Sequence, residues 1–128
     1  MKLSLASTLL ASLILAATGA LAGEIRPYDP ATFAALQAAG KSVVIDVYAD
    51  WCPTCKAQAP IVSALMKEPA FKDFTVLRVN FDTRKDVRRA LDVPMQSTLI
   101  VFRGRNEVAR SVGDTDRASI EATLHKGG

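Results

Sequence analysis

Cysteine and histidine are both scarce in this 128-residue chain. There are two cysteines, Cys52 and Cys55, and one histidine, His125, near the far end. A closed zinc site takes four ligands drawn mainly from these residue types, so the pair is not expected to be half of one. Internal repeats, low-complexity stretches and long linkers are also absent, which excludes solenoids and flexible multidomain arrays. No block of one charge dominates. The basic cluster Arg84–Arg89 is diluted by Asp82 and Asp86 and reads as a solvated helix face. Scattered basic residues among acids do not make a nucleic-acid footprint.

Charge is missing altogether from Leu3 to Leu21, just after Lys2. The run ends in Ala20-Leu21-Ala22, a small-x-small pattern followed by Gly23-Glu24. That order describes a secretory signal peptide over residues 1–22, cleaved after Ala22. A retained membrane anchor is the other reading, since about 20 apolar residues span a bilayer. Cleavage is the expectation, with no stable membrane insertion afterwards. Residues 23–128 then form one domain with one modest core. They carry 15 basic and 13 acidic side chains, about +2 net.

Residues 24–29 read as irregular. Asp29-Pro30 resembles a capped helix start, with Phe33, Leu36 and Ala39 at helical spacing and Gly40 as the stop. Ser42–Ala49 is apolar except for Asp46, as in a central strand covered on both faces. After Asp50-Trp51-Cys52-Pro53 a helix is expected over Thr54–Lys67, with Ala57, Ile61, Ala64 and Leu65 buried and Pro60 kinking it. Phe74–Phe81 is a second strong strand, Asp86–Leu91 a short helix and Thr98–Phe102 a third strand. Gly104-Arg105-Asn106 is a hairpin turn into a strand over Glu107–Val112. Thr115 or Asp116 caps a last helix through Ile120 and Leu124. This order implies an α/β fold: a central mixed sheet of four to five strands with helices on both faces.

Two cysteines separated by two residues enclose too short a loop to staple a fold, because loop entropy grows with length. Their place between a core strand and a helix start favours redox chemistry instead. Free N–H groups and the helix dipole at Cys52 favour a thiolate. Cys55, one turn further on, can attack a mixed disulfide. Cys52 is therefore assigned as nucleophile and Cys55 as resolving thiol, with no bound cofactor. Asp46 has two readings: a buried proton relay to Cys55 with a raised pKa, or a structural acid paired with Arg78. Trp51 is expected as a half-exposed lid and substrate contact. Lys56 stabilises a thiolate or is an ordinary surface charge. Soft thiolates also suit copper(I), so Cys52 and Cys55 as a metal-handling pair is the alternative reading. A non-catalytic adaptor is a third, and the intact Cys52, Cys55 and Asp46 argue against it.

The run from Asp46 through Trp51-Cys52-Pro53-Thr54-Cys55 to Lys56 resembles the strand, redox turn and helix start of the thioredoxin family. The resemblance extends from Phe33 to Leu124. Asp46 matches the family's buried acid, Arg78 a strand lysine beside it, Pro60 the helix proline and Gly113 the glycine after the last strand. It implies a thioredoxin fold, substrate contacts at Trp51, Pro53, Thr54, Gln96 and Ser97, and exchange with protein thiols or disulfides. Asp46-Val47-Tyr48-Ala49-Asp50-Trp51-Cys52 resembles the exported C-terminal thioredoxin-like domain of the DsbD reductant conductor. The turn itself resembles exported proteins of cytochrome c maturation. Both imply a periplasmic reductant, served by a membrane thiol reductase and monomeric. One departure stands out. Ser97 occupies the place of the family's cis-proline, and Pro94 lies three residues too early. The Gln96–Ser97 bond is expected to be trans, with Ser97 facing the cysteines in a more open loop.

Overall fold

The computed structural model describes residues 22–128. The expected signal peptide lies, but for Ala22, outside the described residues. Five strands form one sheet in the order β1-β3-β2-β4-β5. They are β1 (Glu24–Pro27), β2 (Ser42–Tyr48), β3 (Phe74–Asn80), β4 (Thr98–Arg103) and β5 (Asn106–Val112). β1 and β2 both run parallel to the β3 between them, whereas β4 is antiparallel to β2 and to β5. The helices are α1 (Pro30–Ala38), α2 (Pro53–Met66), α3 (Lys85–Ala90) and α4 (Arg117–His125).

Strand alternation splits the core in two. Val44, Val76, Leu99 and Val101 face one way and meet Val62, Leu65 and Met66 of α2 and Ile120 and Leu124 of α4. Val43, Ile45, Val47, Leu77 and Ile100 face the other way, toward Phe33 of α1 and Val87 of α3. Helices thus cover both faces, as the apolar run of β2 required. Asp46 shares the parity of Val44 and so lies on the α2 face.

Several expectations need correction. Residues 24–27 are a strand, not irregular chain. All four residues of β1 are exposed, so no apolar alternation announces it; pairing with β3 alone makes it a strand. Pro27 is tolerated because β1 is an edge. The buried side of α2 is Cys55, Gln58, Val62, Leu65 and Met66, whereas Ala57 and Ala64 are exposed and Ile61 is half-buried. The stripe was set by hydrophobicity, but the helix start at Pro53 puts Gln58 in phase with Cys55 and Val62. Helix α2 continues through Pro60 to Met66. Arg88 does not belong to a solvated face: it donates to the carbonyls of Val93 and Phe81, which have no strand partner of their own. Of the two candidate caps of α4, Asp116 is the one used, accepting from Ser119 N at 2.9 Å.

Candidate active site

β2 carries the chain into the α2 face, and the turn at Asp50–Cys52 delivers Cys52 as the N-cap of α2. The cap is a sulfur: Cys52 Sγ accepts the N–H of Cys55 at 3.1 Å. This is one of the free donors that every helix start leaves. Pro53 at the first helical position needs no partner for its nitrogen. Both cysteines are free thiols and both are buried, Cys52 at 1% exposure and Cys55 at 6%.

Burial of Cys52 opposes ionisation. Hydrogen bonds from the Cys55 side chain, from Ser97 and from the N–H groups of Cys55 and Thr54 outweigh it, and its pKa falls below the ordinary thiol value. Cys55 goes the other way. Burial, donation to Cys52 and the nearby Cys52 charge raise its pKa against weaker help from Ser97 and Ala49. Two thiols one turn apart thus differ in acidity in the direction their positions predicted. They do not differ in access: Cys52 is no more open than Cys55, so chemical ordering of the pair comes from acidity.

Ser97 sits between them. Its Oγ lies 2.9 Å from Cys55 Sγ and 3.3 Å from Cys52 Sγ. Ser97 has the same parity as Leu99 and Val101, so it faces α2 just ahead of β4. Its N–H donates to Val47 O at 2.8 Å and its carbonyl accepts from Gly113 N at 2.9 Å. The peptide before it is trans and its φ is +59°, a left-handed conformation that costs a residue with a Cβ about 1–2 kcal/mol. Pro94 is exposed and lines a different cavity, beside Lys85, Arg88 and Arg89 of α3.

Asp46 is 5% exposed, and register places it opposite Arg78 on β3. Arg78 Nε lies 3.4 Å from its Oδ2, and the guanidinium stacks 3.8 Å above the Tyr48 ring. Burial raises the Asp46 pKa and Arg78 only partly offsets it. Among the described residues its one side-chain partner is Arg78, and neither sulfur is bonded to it. The crevice beside Cys55 (about 140 Å³) is walled by Tyr48, Ala59 and Arg78. Asp46 lines the adjoining crevice, which shares Ala59 and Arg78.

Trp51 is 57% exposed at the rim, with its indole N–H donating to Asp82 at 2.9 Å. Pro53 is exposed, while Thr54 and Gln96 are half-buried. Sequence reasoning did not single out Gln58. It is 2% exposed and donates to Asp114 O at 2.9 Å and, at 3.5 Å, to Ser97 O. Its spacing three residues after Cys55 was the available signal. Among the described residues no group of three or more His, Cys, Asp or Glu converges, so the sulfurs have no third ligand of those types.

A helix-capping thiol of lowered pKa, with a second thiol of raised pKa in contact, is the site of a thiol–disulfide oxidoreductase working through a Cys-x-x-Cys pair. The thioredoxin family model matches residues 25–126, and the chain belongs to that family. It is 36% identical to a thioredoxin of Chlamydia trachomatis serovar D over 84 residues, covering 66% of this chain and 80% of that protein. It is 32% identical over 92 residues to a bifunctional thioredoxin reductase/thioredoxin of Mycobacterium leprae, covering 72% of this chain but only 20% of that protein. The crystal structure of Trxlp from Edwardsiella tarda EIB202 superposes with a TM-score of 0.77 at 44% identity, covering 79% of this chain and 98% of the other.

Proposed function

We propose that this protein is exported to the periplasm and reduces disulfides in exported proteins. The observation that carries the mechanism is the Cys52 sulfur capping α2, with the lower pKa of the pair. Cys52, as a thiolate, attacks a substrate disulfide and releases one substrate sulfur. Cys55 then attacks Cys52 Sγ, releases the second and leaves a Cys52–Cys55 disulfide. Two electrons have moved from the pair to the substrate. A membrane thiol reductase facing the same compartment restores the dithiol. Trp51, Pro53, Thr54 and Gln96 adjoin Cys52, Cys55 and Ser97 along the chain and are the proposed substrate contacts.

Export is supported by the uncharged run and small-x-small end of residues 1–22. The reductant direction rests on the likeness of the Asp46–Cys52 run to exported reductants. The bonds that hold Cys52 as a thiolate pull the other way, because stabilising the dithiol raises the potential.

The deciding experiment traps the partner. A Cys55→Ser variant expressed with its leader should accumulate, in the periplasmic fraction, a mixed disulfide on Cys52. Equilibration with glutathione should give a potential nearer about −270 mV than about −120 mV, the values of reducing and oxidising relatives. A protein retained in the cytoplasm sinks the location, and a potential near the oxidising end sinks the direction.

A further inference from the structure

Resolution at a buried thiol pair has a charge problem. Once Cys52 is bonded to a substrate sulfur, Cys55 must become a thiolate before it attacks. Burial opposes that charge. Asp46, the acid on this face, is bonded to Arg78 and lines a neighbouring crevice, not the one beside Cys55. A different side chain touches the Cys55 sulfur. Ser97 Oγ lies 2.9 Å from it, against 3.3 Å from Cys52 Sγ. Among the described residues that hydroxyl bonds to nothing but the two sulfurs. Ser97 is 2% exposed, gives its N–H to Val47 O and takes Gly113 N at its carbonyl, so its backbone is fixed beside the pair. The backbone N–H of Ala49, just past β2, donates to the same Cys55 sulfur.

We propose that the Ser97 hydroxyl and the Ala49 N–H form a cradle that holds Cys55 as the attacking thiolate in the resolving step, a catalytic role for Ser97 that rests on the redox function above. In the dithiol the charge sits on Cys52, and the hydroxyl proton is within reach of both sulfurs. In the mixed disulfide Cys52 is neutral and a weak acceptor, so the single hydroxyl proton turns to Cys55. Cys55 S–H releases its proton to water in the crevice beside it, which the exposed Asp50 and Lys56 border. The Cys55 electron pair then forms the Cys55–Cys52 bond. The pair of the breaking Cys52–substrate bond goes to the substrate sulfur, which leaves on the far side of Cys52 and takes its proton from solvent. Ser97 neither gains nor loses a proton. It stabilises charge on the attacking sulfur and does not touch the departing one.

The effect of such a cradle depends on pH. A hydrogen bond to a charged group shifts an ionisation equilibrium by about tenfold or more. Without the hydroxyl, the thiolate fraction of Cys55 should fall by that factor at any pH below its midpoint. The thiolate that does form is more basic and more nucleophilic, which returns about threefold for each tenfold lost. The test loads Cys52 with an alkyl thiol and follows its release across pH by rapid acid quench and mass spectrometry. Release should rise with pH and level off where Cys55 is fully ionised. Ser97→Ala should move that midpoint to higher pH. Release should become about three- to tenfold slower below the midpoint and no slower on the plateau. Ser97→Gly suits the left-handed backbone, lacks the hydroxyl and should behave as the alanine variant does. A hydroxyl that only props the loop would leave the midpoint where it was and slow release by one factor at every pH. A midpoint that stays in place in both variants overturns the cradle. A Cys55→Ser protein that forms no mixed disulfide at all overturns the redox function instead, so the two failures are separable.

Discussion

Asp46→Asn should make the protein more stable at neutral pH. Among the described residues Asp46 has one ionic partner, Arg78, at 3.4 Å. At that distance an effective dielectric near 20 gives an attraction of about 5 kcal/mol. Arg78 is 35% exposed in its side chain, so solvent screens the pair and the usable part is smaller. Burying the carboxylate costs several kcal/mol. The balance falls on the side of burial, since the Asp46 pKa is raised. Replacing a buried ionic group by a neutral one of similar size is worth about 1–4 kcal/mol where desolvation exceeds the attraction, so removing the charge should stabilise the fold by an amount of that order. Arg78 keeps its access to water and its stack on Tyr48, so its own loss is minor. The sign follows from linkage. A carboxyl whose folded pKa lies above its unfolded value of about 3.9 destabilises only when ionised. The gap between variant and parent should therefore be small below about pH 4, grow as pH rises through the folded pKa, and then level off. Urea unfolding of the dithiol forms from pH 4 to 8 measures it. A variant less stable than the parent at pH 7, or a gap that ignores pH, refutes the claim that burial outweighs the ion pair.

The opposite change, Arg78→Met, should destabilise by about 1–3 kcal/mol at pH 7, with the loss fading toward pH 4 in the same unfolding series. Mass-mapped alkylation across pH should label Cys52 first, its rate rising at a pH below the ordinary thiol range; earlier labelling of Cys55 would reverse the assigned roles. Gln58→Ala should cost about 1–3 kcal/mol, because it strips the Asp114 carbonyl of its buried donor; a midpoint shift in urea under about 0.5 kcal/mol would show that water replaces the amide. Trp51→Ala should raise KM for a protein disulfide several-fold while the Cys52 pKa stays put, since Trp51 bonds to Asp82 and not to sulfur.

Chemistry written in neighbouring residues was legible in the sequence alone. The thiol pair, its helix-start position and the lower pKa of Cys52 follow from a two-residue spacing at a strand-to-helix turn, whereas the raised pKa of Cys55 comes from burial in the folded site. The covered sheet followed from the apolar run of β2, broken only by Asp46. The placement of Ser97 beside the cysteines followed from the resemblance, in which it stands where the family has a cis-proline. The distant contacts were decided by the tertiary structure. β1 has no apolar pattern and exists because β3 offers it an edge. Gln58 is buried because the helix phase set at Pro53 turns it inward toward two carbonyls from other elements. Ser97 touches both sulfurs across 42 and 45 residues of chain, in a left-handed conformation held by Val47 and Gly113. Propensity and periodicity describe a residue's own segment. A hydrogen bond between segments depends on register and packing, which exist only once the sheet and α2 have come together.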